Sequence, residues 1–109
     1  IFLDAGHGII ASEVVAEGTI NMNTIYPREL IKQALARNAA ALVVAHNHPS
    51  GNLQPSAEDR RLTGLLHEAC AVMHIRLLDH LIVGGTERPF SFADHGLMEE
   101  IRREYGQHP

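Results

Sequence analysis

Residues 39–59 read AAALVVAHNHPSGNLQPSAED, and this stretch decides the fold. Its first part, Ala39–Ala45, is short and continuously apolar, which is typical of a strand buried on both faces of a sheet. Its middle part, His46–Pro55, contains two prolines, a glycine and two asparagines, which predicts a loop. A helix is expected to begin at Ser56, so the stretch predicts a strand, a loop and a helix in that order.

The flanking segments extend this unit into an α/β domain. In chain order the further predicted elements are a strand at 1–4, a strand at 9–16, a helix from Pro27, strands at 77–83 and 90–92, and a polar helix from Asp94. This order implies a mixed sheet with helices packed on it. Along the helix that begins at Ser56, helical spacing predicts a buried face made of Leu62, Leu65, Leu66, Ala69 and Met73.

Length and composition restrict the class of protein. The 109 residues fit a single domain at 1–109, and 45% hydrophobic with 20% charged residues is typical of a soluble globular protein. The chain begins at Ile1 inside a predicted strand, so we expect it to be a C-terminal fragment of a longer protein. The single cysteine, Cys70, cannot form an internal disulfide and is expected in the core.

Charge and hydropathy make nucleic-acid-binding and membrane-spanning proteins less favoured classes. The formal net charge of -4 lacks the basic excess of a nucleic-acid-binding surface. No segment reaches the length of apolar residues that spans a bilayer, and no signal peptide is visible. We therefore expect no membrane partner and a cytoplasmic location. A homo-oligomer is compatible with the sequence.

Two histidines and one aspartate form a candidate metal site. His46 and His48 stand two residues apart, and such side chains point to the same side of an extended segment. Asp59 follows His48 by eleven residues, and the loop between them is long enough to bring its carboxylate to the same point. Two imidazoles and one carboxylate are a common ligand set for catalytic zinc, and they leave a fourth position for a water whose pKa zinc lowers to about 7.

Ser56 has two interpretations that are compatible with each other. The segment Ser56-Ala57-Glu58-Asp59 resembles a capping box in which Asp59 replaces the usual Glu or Gln. In that interpretation Ser56 caps the helix and Asp59 complements the helix dipole. A serine at a helix N-terminus can also donate its hydroxyl to a substrate oxygen above the metal.

The spacing of these residues resembles a known motif. His46-Asn47-His48 and Ser56-Ala57-Glu58-Asp59 match the JAMM pattern H-x-H-x7-S-x2-D without a gap, and HNHPSGN…PSAED resembles the RadC branch of the JAB/MPN superfamily. The flanking segments GTIN (18–21), YPRE (26–29) and LDHLIVG (78–84) are similar as well. The resemblance implies the MPN/JAB-type, cytidine-deaminase-like fold. It also implies that His46, His48 and Asp59 bind Zn2+ and that Ser56 stabilises an oxyanion.

The resemblance further implies a zinc-dependent metallohydrolase that cleaves peptide or isopeptide bonds, with a peptide or protein as substrate. A non-catalytic MPN-type scaffold that keeps the fold is the alternative. A DNA-repair-associated domain, as an older label of the RadC family suggests, is a third hypothesis. The acidic balance and the lack of an interleaved basic and aromatic stretch count against this third hypothesis.

Hydrolysis of an amide also needs a general base that later protonates the leaving amine. In the superfamily that this chain resembles, a glutamate upstream of the H-x-H pair has this role. The candidates are Glu13, Glu17 or a glutamate that precedes Ile1. Glu13 comes before a valine pair, and partial enclosure there would raise the pKa of its carboxyl. The alternative for Glu13 and Glu17 is an ordinary exposed carboxylate on a strand.

Further polar residues lie near predicted strand and helix positions. Asp79 and His80 are adjacent on a predicted strand, where they either support a metal ligand by hydrogen bonding or form a structural pair. His67 and His74 lie seven residues apart on one helix face and are expected near the surface.

Overall fold

A computed structural model describes residues 1–13, 25–85 and 87–105 of the chain. Its elements are β1 (Phe2–Leu3), β2 (Ile9–Ala11), α1 (Ile25–Ala36), β3 (Ala41–Asn47), α2 (Ala57–Val72), β4 (Arg76–Val83), β5 (Phe90–Ser91) and α3 (Leu97–Glu104). The order of strands and helices is the predicted one, and the α/β class with a mixed sheet is confirmed. Within the described ranges, no helix is long and apolar enough to cross a membrane.

The five strands form one sheet in the order β2-β1-β3-β4-β5. β3 and β4 run parallel, and the other neighbours are antiparallel. Parallel neighbours need a crossover connection, which α2 provides. The pairing of β3 with β4 runs from Ala41 opposite Arg76 to Asn47 opposite Val83, so the two strands end together at one edge of the sheet.

The hydrophobic core lies between the sheet and the helices. Strands β1, β3 and β4 contribute buried apolar residues, and each helix adds its apolar face. The buried cluster includes Phe2, Leu42, Val44, Leu77 and Ile82 from the strands and Leu30, Ala34, Leu62, Leu66, Cys70, Met98 and Ile101 from the helices. The core position predicted for Cys70 is confirmed, and burial raises the pKa of its thiol to about 12.

The boundary between β3 and the loop differs from the prediction. His46 and Asn47 belong to the strand, because they continue the pairing with β4 opposite Ile82 and Val83. Prolines and asparagines further along the loop signalled its presence, but local composition does not show where a neighbouring strand stops pairing. Residues 14–16 of the predicted second strand lie outside the described residues.

The buried face of α2 also differs from the prediction. Leu62 and Leu66 are buried as expected, but the burial predicted for Leu65 and Met73 is wrong, since they are 36% and 48% exposed. The surface or boundary position predicted for His67 and His74 is wrong for His67, because only 8% of it is exposed, and is confirmed for His74. The buried face is turned toward Thr63, Gly64 and His67.

Packing of α3 explains this rotation. α3 begins after Gly96, which has a φ of 74°, and it buries Met98 and Ile101, so it is amphipathic rather than uniformly polar. At its end, the ring of Tyr105 lies against Gly64, where an added Cβ would come within 2.3 Å of ring carbons. A contact between residues so distant in sequence is invisible to the periodicity of α2.

Adjacent leucines on α2 provide a test of the buried face. Leu66→Ala should lower the free energy of unfolding by roughly 2–5 kcal/mol, because it empties a fully buried site. Leu65→Ala removes the same atoms from a partly exposed site, and alanine favours the helix, so its effect should be under about 1 kcal/mol. Denaturant unfolding of both variants measures the difference. Equal losses would show that the face is not oriented as described.

Candidate metal centre

The residues of the candidate site come from two elements that meet at one sheet edge. His46 is the sixth residue of β3, and His48 follows the strand, where its backbone N–H donates to the carbonyl of Val83 at 2.8 Å. That hydrogen bond continues the alignment with β4, so the two histidines keep the spacing of an extended segment. Asp59 is in the first turn of α2, which starts close to this edge.

The three side chains converge on one point. The Nε2 of His46 lies 3.0 Å from Oδ1 of Asp59, and the Nε2 of His48 lies 3.1 Å from Oδ2. One ligand atom from each residue falls within 4.8 Å of the other two. Among residues 1–13, 25–85 and 87–105, this is the one group of three such residues that meets this distance.

The donor atoms fit a metal ion. Bonds of 2.0–2.1 Å in a tetrahedral site place neighbouring ligand atoms about 3.3 Å apart, close to the two observed separations. The Nδ1 of His48 lies 2.7 Å from the carbonyl oxygen of Asn52, which can only accept. This Nδ1 therefore carries a hydrogen, and in the neutral ring the Nε2 of His48 is left with a lone pair. The cluster can hold a metal ion.

Ser56 fixes the carboxylate of Asp59. Its Oγ accepts from the backbone N–H of Asp59 at 3.0 Å, and its own N–H donates to Oδ2 of Asp59 at 2.7 Å. The predicted capping box is confirmed. Burial alone would raise the pKa of Asp59, but the hydrogen bonds with Ser56 and the nearby His46 and His48 outweigh burial and lower the pKa. The carboxylate is therefore charged when a cation arrives.

His80 lies directly behind His46. Its Nε2 is 2.8 Å from Nδ1 of His46, its Nδ1 is 2.6 Å from Oγ1 of Thr63, and its ring stacks on Phe92. Burial lowers the pKa of His80 to about 4, so the ring is neutral near pH 7. Burial lowers the pKa of His46 as well. Metal ligation requires a neutral imidazole, and both shifts favour one.

Thr63 was not singled out by the sequence. Its hydroxyl donates to the backbone carbonyl of Asp59 at 2.7 Å and lies beside His80. The signal was its position four residues after Asp59, which places both residues on one face of the helix. A threonine in the middle of a helix does not by itself indicate a role at the site. Its contact with His80 on β4 is visible only in the structure.

Asp79 lies in a different environment from His80. Its Oδ1 accepts from the backbone N–H groups of His80 and Ala93 at 2.7 and 2.9 Å, and its Oδ2 accepts from the hydroxyl of Ser91 at 2.6 Å. These contacts tie β4 to the segment around β5. The two adjacent candidates therefore face different partners, and His80 is the one that contacts a metal-site histidine.

Glu13 is not brought into the cluster. Its carboxylate forms an ion pair with the guanidinium of Arg37, which follows α1 and lies over the ring of Phe2. Glu17 lies outside the described residues. The general base is therefore the part of the predicted site that this geometry does not supply.

A cavity of about 540 Å³ lies away from the cluster. It is lined by the end of α2, the start of β4 and α3, with His74, Arg76 and Arg102 among its walls. None of the three candidate ligands borders it. The cavity and the candidate metal cluster are therefore separate features of the molecule.

Comparison with known proteins identifies the family. A family model described as a RadC-like JAB domain matches residues 1–97. This chain belongs to the RadC-like JAB family. Proteins named UPF0758 from Burkholderia ambifaria, Burkholderia vietnamiensis and Pseudomonas fluorescens are 56%, 55% and 51% identical to it over 96 residues, or 88% of this chain. The chain spans 37% to 42% of the length of these relatives.

The family match confirms the resemblance seen in the motif of this RadC-like JAB domain. The matched range contains His46, His48, Ser56 and Asp59. The names of the relatives state no reaction.

Gly84 permits the close approach of β4 to the loop that carries His48. A Cβ at Gly84 would lie 3.0 Å from the carbonyl oxygen of His48 and 3.1 Å from Cα of Gly51. Both are backbone atoms, so the loop would have to move. Gly84→Ala should displace His48 and weaken any binding of a divalent metal ion at the cluster about 10-fold or more, measured by competition with a chelator. Gly6→Ala is the matched control, since its Cβ would meet only Asp4 at 3.6 Å. Equal affinities for both variants would contradict the expected displacement.

The neutral state of buried His80 predicts a pH dependence. The unfolded chain binds a proton at this histidine below about pH 6.5, whereas the folded chain does so only near pH 4. The free energy of unfolding of the metal-free protein should therefore fall between pH 6.5 and pH 4, with a slope of up to about 1.4 kcal/mol per pH unit from this group. Above pH 6.5 the group should have no effect.

Denaturant unfolding across this pH range, with a chelator present, measures the slope. His80→Asn should flatten it by about one proton. His74→Asn is the control, because His74 is exposed and its φ of 58° suits asparagine. A full slope in His80→Asn would show that another group causes it.

Proposed function

We propose that this RadC-like JAB domain is a zinc-dependent metallohydrolase that cleaves amide bonds, in peptide or isopeptide linkages. One observation carries the proposal. The Nε2 atoms of His46 and His48 and the carboxylate of Asp59 converge within 4.8 Å. The other ring nitrogen of each histidine is already occupied, by His80 and by the carbonyl of Asn52.

Two imidazoles and one carboxylate favour zinc over the harder cations, which prefer oxygen ligands. A zinc ion held by His46, His48 and Asp59 would supply a Lewis acid that polarises a carbonyl and activates water as a nucleophile. The residues of this chain bind that ion and hold their own geometry. Asp59 is oriented by the N–H of Ser56, and His48 is oriented by the carbonyl of Asn52.

Ser56 is proposed to donate to the substrate. Its Oγ accepts from the N–H of Asp59, so the hydrogen of the hydroxyl is not used by that bond. The hydroxyl can therefore donate to a carbonyl oxygen that gains negative charge during the reaction. The capping role uses a lone pair of the hydroxyl oxygen, and the proposed catalytic role uses the hydroxyl hydrogen.

A glutamate is proposed to carry the proton to the leaving amine, with Glu13 and Glu17 as the candidates within this chain. The carboxylate of Glu13 is paired with Arg37 and would have to separate from it. That pairing favours the second candidate function, a non-catalytic domain that keeps the fold and the metal. A peptide or protein is the proposed partner in either case. The net charge of -4 disfavours nucleic acid.

Metal content tests the first step of the proposal. Elemental analysis after zinc loading should find about one zinc per chain in the wild type, as the three ligands form one site. Asp59→Asn should lose this zinc, because it removes the charge of a ligand. The asparagine keeps an oxygen that accepts from Ser56, so the cap is retained. Glu58→Gln is the matched control, since this neighbouring carboxylate is 69% exposed and lies outside the cluster. A wild type that takes up no zinc would sink the proposal.

Turnover separates the enzyme from the scaffold. Zinc-loaded protein should cleave members of a peptide and isopeptide library, read by mass spectrometry, and Asp59→Asn should not. If Glu13 carries the proton, Glu13→Gln should keep its zinc and lose at least about 100-fold in rate. Arg37→Gln breaks the same ion pair from the other side and should keep its rate. Equal rates for the two variants would exclude Glu13 from this role. No cleavage by zinc-loaded wild type across the library would favour the scaffold.

A further inference from the structure

A chain of hydrogen bonds runs behind the metal cluster. The Nδ1 of His46 lies 2.8 Å from Nε2 of His80, and the Nδ1 of His80 lies 2.6 Å from Oγ1 of Thr63. The hydroxyl of Thr63 donates to the backbone carbonyl of Asp59 at 2.7 Å. The chain therefore begins at one candidate ligand and ends at another. His80 and Thr63 are fully buried, so water does not replace a missing partner.

This chain of hydrogen bonds can run in two directions, which set opposite tautomers of His46. In the first direction, Nδ1–H of His46 donates to His80, Nδ1–H of His80 donates to Thr63, and Thr63 donates to the carbonyl of Asp59. The Nε2 of His46 then carries a lone pair and can bind a cation. In the reverse direction, Nε2–H of His80 donates to His46. The hydrogen of His46 is then on its Nε2, which cannot bind a cation.

We propose that Thr63 selects the direction that binds the metal. A carbonyl oxygen has no hydrogen and can only accept. The hydroxyl hydrogen of Thr63 is therefore committed to Asp59, and its lone pair faces His80. His80 must then keep its hydrogen on Nδ1 and offer a lone pair at Nε2 to His46. Thr63 is a positioning residue that acts on the metal through two other side chains. This inference rests on the proposed zinc site.

For both His46 and His48, a backbone carbonyl fixes which ring nitrogen carries the hydrogen. The carbonyl acts directly on His48 and through two other side chains on His46. His48 donates directly to a backbone carbonyl, that of Asn52, at 2.7 Å. His46 reaches a backbone carbonyl, that of Asp59, only through His80 and Thr63. In each case the carbonyl determines which ring nitrogen carries the hydrogen. The two backbone carbonyls thus leave a lone pair on the Nε2 of each histidine, where a metal can bind.

Removal of the hydroxyl should affect the zinc-bound state selectively. Valine has the shape of threonine but cannot accept from Nδ1–H of His80. The metal-free protein can reverse the direction of the chain. Reversal leaves Nδ1 of His80 as an unpaired acceptor, but it lets Nε2–H of His46 donate to Oδ1 of Asp59, 3.0 Å away. The zinc-bound protein cannot reverse the direction, because the Nε2 of His46 must stay free of hydrogen. Thr63→Val should therefore weaken zinc binding about 10- to 100-fold, with a smaller loss of stability in the metal-free protein.

The experiment measures the zinc dissociation constant by competition with a chelator for the wild type, Thr63→Val and Thr63→Ser. Serine restores the hydroxyl without the methyl group, so Thr63→Ser should bind zinc nearly as tightly as the wild type. Denaturant unfolding of each metal-free variant, with a chelator present, reports any general damage to the fold.

Each outcome separates this inference from the proposed function. A wild type that binds no zinc would sink the proposed function, and with it the inference. A wild type that binds zinc no more tightly than Thr63→Val would overturn the inference alone. Equal losses in Thr63→Ser and Thr63→Val would also overturn it, since packing at this position would then be the cause.

A measurement on the wild type keeps the inference testable even if Thr63→Val does not fold. Nitrogen-15 chemical shifts of the imidazoles distinguish the two tautomers. In the zinc-bound wild type they should show the hydrogen of His80 on Nδ1. A hydrogen on Nε2 of His80 would overturn the inference.

Discussion

The position of Asp59 is the constraint on which the candidate metal centre depends. Its carboxylate meets the Nε2 atoms of His46 and His48, and one of its oxygens also accepts from the N–H of Ser56. Its backbone carbonyl accepts a hydrogen bond from the hydroxyl of Thr63, which also contacts His80. A single residue in the first turn of α2 therefore faces both histidines with its side chain and organises the support of one of them with its backbone. Displacement of this helix turn would disturb every contact of the cluster at once.

The sheet, rather than the cluster, determines where the first turn of α2 lies. The parallel pairing of β3 and β4 ends both strands at the same edge, and α2 is the crossover between them. The buried hydrophobic cluster contains neither His46, His48 nor Asp59. The hydrophobic residues that form the core are thus distinct from the three polar groups that could hold a cation. The candidate site is an addition to a frame whose core lies elsewhere.

The sequence predicted the order of elements, the capping box and the convergence of three candidate ligands, because each depends on spacing along a few residues. It did not predict the role of Thr63 or the buried face of α2. These depend on contacts between distant segments, such as that of Thr63 with His80 and that of Gly64 with Tyr105. Asp79 shows the same limit. The side chain of its neighbour His80 contacts His46, whereas the carboxylate of Asp79 accepts hydrogen bonds from Ser91 and Ala93.

The contact between Gly64 and Tyr105 has an evolutionary consequence. The match to the family ends at residue 97, yet Tyr105 leaves no room for a Cβ at position 64 inside the matched range. Alanine at position 64 would favour the helix, but it collides with the ring unless the ring moves. The two positions are therefore epistatic. A side chain at position 64 requires the ring at position 105 to shift or to be lost, so the effect of a substitution at one position depends on the residue at the other.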